Sequence, residues 1–281
     1  AASGLIFQIA LTRVFAITQF YHFAFLTVSM ALLGFGASGS ALAAFPRLGE
    51  GGPRLWARLA GLQGVATVAA YGVSNSLPFD SFAIAWDRIQ ILYLVLYYLT
   101  LAVPFFFGGL IVAVLLTGGG RSDPVPSHLV YGASLAGAGL GCAIAVVGID
   151  LLGGEGVTLL GAAVAMGGAA GFSLLTGRRR GLLIAAGATV ALLSVAVAVP
   201  EPLEMNISPY KDLSGALRFP DAEVVTTVWE RGTRIDLIRS DGIRSLPGLS
   251  FTYRGLPPTQ DGVTFDGDDL SPVPRVAPEE A

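Results

Sequence analysis

The sequence predicts an all-α polytopic membrane helix bundle of about seven transmembrane helices over residues 1–200, followed by a small, partial β unit over residues 201–281. Three observations carry that prediction. Of the 281 residues, 53% are hydrophobic and 13% are charged, where a soluble domain carries roughly 25% charged residues. The charge is unevenly spread. Residues 1–200 hold nine Arg, no Lys and six acids, whereas residues 201–281 hold seven Arg, one Lys and fourteen acids, so the two regions sum to +3 and −6. The apolar runs are also long, close to the ~20 residues that a helix needs to cross a bilayer core.

Seven such runs are legible: 1–18, 21–45, 55–77, 89–117, 129–152, 157–175 and 182–199. The first is short, and its start at Ala1 inside an apolar run reads as the interior of a longer chain. Pro46, Pro78 and Pro200 close the second, third and seventh runs, and Pro104 predicts a tilt or kink within the fourth. Lipid offers no partner for a free N–H or C=O, so each run is read as a helix. Small residues four apart, Gly36 with Ser40 and Ala133 with Gly137 and Gly141, predict close helix–helix approach. Tyr93, Tyr97 and Tyr98 read as packing or interface aromatics.

The connections carry an orientation signal. Arg47, Arg54 and Arg58 (the last just inside the third run) are read with the connection between the second and third runs, Arg121 with that between the fourth and fifth, and Arg178, Arg179 and Arg180 with that between the sixth and seventh. The alternate connections hold Asp80, Asp87 and Arg88, then Asp150 and Glu155. The positive-inside rule places the Arg-bearing loops in the cytoplasm and residues 201–281 on the periplasmic face of a bacterial inner membrane.

Within the last eighty residues, 224–229 and 233–239 read as strands around a turn at Arg231 and Gly232. A short strand is predicted within 247–258. Another, in "GVTFDGDD", runs into an acidic turn, and 271–281 reads as disordered or cut off.

Little in the sequence points to chemistry. Cys142 stands alone, and His22 and His128 are far apart, so no Cys/His metal cluster is expected. Gly34 and Gly36 form a G-x-G inside an apolar helix, outside the strand–turn–helix context of a dinucleotide site. The loop "TGGGRSD" (117–123) lacks the P-loop Lys. Arg13 is the clearest ionisable residue within an apolar run, read either as a functional group or as a side chain reaching the nearby interface. Asp150 and Arg88 read as interfacial. Asp266, Asp268 and Asp269 lack the terminal Glu of a calcium loop. The acceptor-like Asn206–Ser208 is followed by Pro209 and is given no role. No catalytic, cofactor-binding or metal-ligating residue is assigned. The expected partner is the lipid bilayer, a small polar substrate is the further partner allowed, and no nucleic acid is expected.

Several stretches carry a resemblance. "SGLIFQIALTRVFAITQFYHFAFLTVSMALLGFGASGS", "VPFFFGGLIVAVLL" and "YGASLAGAGLGC" are similar to the helices of bacterial multi-pass membrane proteins of the spermidine/spermine synthase-like family. "ISPYKDLSGAL", "RIDLIRSDGIRSLPGLSFTY" and "LPPTQDGVTFDGDDLSPV" resemble the lead-in to that family's synthase-like domain. The resemblance implies a β unit preceding a Rossmann-like domain that binds an S-adenosylmethionine-type cofactor and supports aminopropyl transfer in the full-length protein. At the place of the family's substrate-binding Gln, after Asp266 and Gly267, this sequence has Leu270. Ser134 stands where an acid is common. No functional residue is carried over, no cofactor is expected in this chain, and the 281 residues are expected to be catalytically incomplete. The second reading is a secondary transporter, since "FPRLGEGGPRLWAR" is faintly like the loop after the second helix of major-facilitator carriers.

Overall fold

The structure, a computed structural model, describes residues 1–118, 125–230, 232–244, 250, 252, 254–255 and 257–275. Arg121 with most of the Gly-rich loop, Arg231, most of the strand expected within 247–258, residues 276–281 and the side chain of His22 lie outside the described residues.

The chain is mostly helical and ends in a small sheet. The helices are α1 (Ala2–Thr18), α2 (Tyr21–Ala24), α3 (Leu26–Ala44), α4 (Gly52–Ser76), α5 (Ile89–Leu116), α6 (Ser127–Leu174), α7 (Arg179–Ala198) and the short α8 (Asp212–Ala216). The second apolar run is therefore two helical pieces meeting at Phe25. Arg54, Arg58, Arg179 and Arg180, read as loop residues, lie within the first two turns of α4 and the first turn of α7. Pro104 sits inside α5 without interrupting it.

The fifth and sixth runs form one hydrogen-bonded element, α6, but not one straight rod. Gly153, at φ 67° and ψ −179°, reverses it, a backbone region open essentially to glycine alone. A Cβ added at Gly148 would lie 3.0 Å from Val157, although nine residues of straight helix would separate the two by roughly 13 Å. Two antiparallel arms, 127–152 and 154–174, result. Helix α1 lies against both: Gly141 on the first arm meets Ala2, and Gly161 on the second meets Ile6 and Phe7.

Burial makes α1 the centre of the bundle. Ile6, Phe7, Leu11, Phe15 and Ile17 are all fully or almost fully buried. Phe7 and Phe15 stack on Phe105 and Tyr97 of α5, so Tyr97 is a packing aromatic. Gln63 of α4, itself buried, donates to Ser3 Oγ at 3.2 Å. By contrast Leu151, Leu183, Ile184 and Val197 are at least 70% exposed. Soluble monomers rarely carry so broad an apolar surface. Among the described residues, α3, α5, α6 and α7 are long and apolar enough to cross a membrane. These apolar helices suggest a membrane protein.

The close helix contacts fall partly where the small-residue spacing predicts. Gly141 touches the start of α1, and Gly137 stands 3.8 Å from Ala2 at its virtual Cβ, but Ala133 is exposed. Gly36 and Ser40 face outward, with open space around Gly36. The α3–α5 approach uses the positions two residues earlier. A Cβ on Gly34 would fall 2.6 Å from the Ala102 carbonyl, and one on Gly109 would fall 2.5 Å from Ser38 Oγ.

The sheet is an antiparallel meander in the order β1 (Glu223–Glu230), β2 (Thr233–Arg239), β3 (Gln260–Phe265) and β4 (Asp268–Pro274). Strands β1 and β2 match the sequence expectation. Strand β4 corrects it, because 271–274 is paired with β3 rather than disordered. Its Pro272 and Pro274 lack N–H donors and are tolerated because β4 is an edge strand. Asp266 and Gly267, at φ 51° and 78°, form the two-residue turn of the β3–β4 hairpin. Leu213 and Ala216 of α8 form a small core with Ile238 and Ile243, and the partly buried Leu270 packs against it. Asp261 links β2 to the residue after β4, 2.6 Å from Arg275 and 3.4 Å from Arg239. Partial burial pushes its carboxyl up, but hydrogen bonds and charge from Arg239 and Arg275 outweigh this and hold it below the usual carboxylate range.

Substitution of Gly34 should separate α3 from α5, whereas Gly36 has room. Gly34→Leu should cost about 1–3 kcal/mol by overpacking and lower the unfolding temperature in detergent, with Gly36→Leu close to the parent. Equal thermal stability of the two variants would contradict the helix face assigned here.

Candidate functional site at the junction of bundle and tail

At one end of the bundle, polar groups of α1, α4 and α6 meet described residues of the tail. The physical need is set by α1. A helix leaves its last four carbonyls without intrahelical donors. Gln19 N–H reaches Phe15 O, but Ala16 O and Thr18 O are met by the tail: Lys211 Nζ donates to Ala16 O at 3.0 Å and Ser208 N–H to Thr18 O at 2.9 Å.

Lys211 is the chain's single lysine, and only 2% of its side chain is exposed. Its ammonium also donates to Asp266 O at 3.2 Å and to the Asp268 carboxylate, and it lies 5.2 Å from the Phe20 ring centroid. Its three N–H bonds are thus all used. A cation at the C-terminal end of α1 also complements the helix dipole.

Arg13, the ionisable residue the sequence singles out, lies in this junction. Its guanidinium is 3.7 Å from Asp266 Oδ2, and its Nε has no hydrogen-bond partner among the described residues. Asp266 uses its other oxygen to accept Arg234 N–H at 3.0 Å. Asp150 accepts Gly232 N–H at 3.0 Å. Arg88 is exposed at the start of α5. The acidic turn is therefore divided among separate cationic and amide partners, and among the described residues no group of three His, Cys, Asp or Glu could hold a metal ion. Asn206 is held at the junction by Asn75, whose Oδ1 accepts Asn206 N–H at 2.9 Å and whose Nδ2 donates to Glu204 O at 2.6 Å.

Two participants escape sequence reasoning. Lys211 stands out only as the one lysine. Glu155, read as a loop acid, is buried beneath the tail with Oε1 3.4 Å from Met205 N. Its signal is an acid within "GGEG", between two apolar arms. Trp229 of β1 closes over this reversal, its Nε1 2.8 Å from a virtual Cβ on Gly153.

Beside the junction a cleft of about 280 Å³ opens, lined by Gln19, Ser74, Asn75, Asp80, Tyr97 and Asn206 among others. Asp80 is already engaged, accepting Phe82 N–H at 2.9 Å, Ala83 N–H at 3.2 Å and Tyr210 OH at 2.9 Å. That last bond, which the tyrosinate could not make, raises the Tyr210 phenol above its ordinary value. The remaining lining is mostly neutral and hydrogen-bonding. It can admit a small polar molecule, but it presents no nucleophile–base pair.

Comparison with family models, with curated proteins and with solved structures finds no match to this chain.

Removing the Lys211 ammonium should loosen the tail first. Lys211→Met should cost on the order of 2 kcal/mol, less than a fully buried pair because Asp268 is partly solvated. Limited proteolysis should then cut within 204–222 at a protease dose that leaves the parent intact. Unchanged proteolysis and unchanged thermal stability would show that Lys211 does not hold the junction.

Proposed function

We propose that this chain is the membrane portion of a spermidine-synthase-like protein, a seven-pass helical domain that presents a β unit at one face and has no transfer activity by itself. The observation that carries the reading is the junction. Bonds from the end of α1, from α4 and from the α6 reversal tie the tail, through Lys211, Glu204 and Gly232, to one end of the bundle. The two arms of α6 bring the apolar passes to seven when the short α1 and the more polar α4 are included.

An S-adenosylmethionine-type cofactor belongs to the resemblance for the full-length protein. At the place of that family's substrate-binding Gln, Leu270 packs with Ile238 and Ile243 and lies against the bare Cα of Gly262. No chemical step is assigned. The transporter reading draws support from the polar cleft at the junction. Against it, the reversed element α6 turns at the end of the bundle rather than near its middle, where carriers bind substrate.

Two measurements test the proposal. The purified 281-residue chain should neither bind decarboxylated S-adenosylmethionine in calorimetry nor aminopropylate putrescine. Saturable binding would overturn the catalytic part. Arg47, Arg54, Arg58, Arg178, Arg179 and Arg180 lie at the end opposite the tail, so the positive-inside bias favours a periplasmic tail. Alkaline phosphatase fused to the end of the chain should be active and green fluorescent protein dark. The reverse pattern would place the tail in the cytoplasm.

A further inference from the structure

At the end of the bundle remote from the tail, α4, α6 and α7 enclose a groove of about 470 Å³. Arg54 and Arg58 of α4 and Arg178 and Arg180 at the start of α7 line its mouth. Among the described residues none of the four forms an ion pair, although they converge from two helices. The helix starts add to the same field. Neither α4 nor α7 has a side-chain cap or an acid in its first turn, so both present bare N–H groups and the positive end of a dipole. The competing negative end of α6 is partly met, because Ser173 O accepts the Thr176 hydroxyl at 2.8 Å and Leu174 O accepts Gly177 N–H at 3.2 Å. Glu50, the acid nearest the start of α4 in sequence, lines a different recess, between α3 and α5.

The groove does not stop at the arginines. It continues along apolar and small residues, including Val65, Met166 and Ile184, past Gly61 and Ala185. Ile184 is 73% exposed, so this channel opens sideways, to the surroundings of the bundle. A free phosphate would use the mouth and leave the apolar channel empty.

We propose that this groove binds an anionic phospholipid, with its phosphate at Arg54, Arg58, Arg178 and Arg180 and an acyl chain along Val65, Met166 and Ile184. The proposal rests on the membrane reading above. Basic pockets between helices are suited to such headgroups, each Lys or Arg contributing about 1 kcal/mol near a charged surface. The arginines supply the selectivity, and the channel supplies the discrimination against soluble anions.

The test uses the full chain reconstituted in nanodiscs of phosphatidylcholine with or without phosphatidylglycerol, read by native mass spectrometry and thermal unfolding. The parent should retain phosphatidylglycerol in preference to phosphatidylcholine and unfold at higher temperature when it is present. Arg54→Gln with Arg178→Gln should reduce retention on the order of tenfold. Arg47→Gln with Arg179→Gln removes the same charge from the same end without touching the groove lining, and should retain the lipid. Gly61→Leu, which has room for a Cβ 4.0 Å from Ala169, should block the channel and lower retention with all arginines in place. Equal loss in both arginine pairs, no effect of Gly61→Leu, or equal stabilisation by inorganic phosphate would overturn the lipid site. Release of the chain from vesicles by alkaline carbonate would instead sink the membrane reading, an outcome separable from insertion without lipid preference.

Discussion

The buried ammonium of Lys211 is the constraint around which the junction is arranged. Moving such a cation out of water costs several kcal/mol unless its donors are met. Here they are met by three acceptors from three places: the last turn of α1, the backbone of the β3–β4 turn and the side chain of Asp268. Each acceptor also has its own need. Ala16 O is an orphan of the helix end. The Asp266 carbonyl lies in a turn whose two residues are both at positive φ. Asp268 pairs with no other cation among the described residues. Satisfying the lysine therefore terminates a helix and seats a hairpin in one step.

The position of α1 explains why this matters beyond the junction. Its side chains form the common wall between α5 and both arms of α6. The helix is mostly apolar, with Gln8, Thr12 and Arg13 its polar residues between Ser3 and Thr18, so few groups of its own fix its depth or rotation. Its polar fixings lie near its two ends, Ser3 with Gln63 at one and the tail donors at the other. Between them, Thr12 is hydrogen-bonded to Thr27 of α3 at 3.0 Å. The tail thus contributes to the registration of the bundle's most buried element, and the sheet is as much a part of the bundle's structure as a passenger on it.

Length and hydropathy made the helices legible in the sequence, and their ends agree with the structure to within a few residues, because an apolar run bounded by Pro or charge has few alternatives. The faces were not legible. In an apolar bundle both the packed and the outward sides are hydrophobic, so no periodicity separates Gly34 from Gly36, and the small-residue spacing fixed on the wrong one. Strand β4 was hidden by Pro272 and Pro274, which read as breakers although an edge strand accepts them; the Asp266-Gly267 pair was the stronger signal, as a two-residue hairpin turn. Lys211 and Glu155 were illegible for another reason. Each is a single charge whose meaning lies in partners that are distant in sequence, such as Ala16 for Lys211 and Met205 for Glu155.

The net charges pose a question that the distances answer. Residues 201–281 carry −6, and the richest arginine cluster of residues 1–200 lies at the far end of the bundle. Simple attraction would bring the two together. A helix of about 20 residues is some 30 Å long, whereas charges in salt solution are screened over about 8–10 Å, so the two ends scarcely sense one another. The tail is held where the chain delivers it, directly after α7, by local bonds to Ala16, Thr18, Asn75 and Asp150. Four of the arginines are then left without an internal acid among the described residues, and their charge is directed outward from the opposite end. Connectivity thus decides where the acidic tail sits, and the same connectivity leaves the basic end open to an external anion.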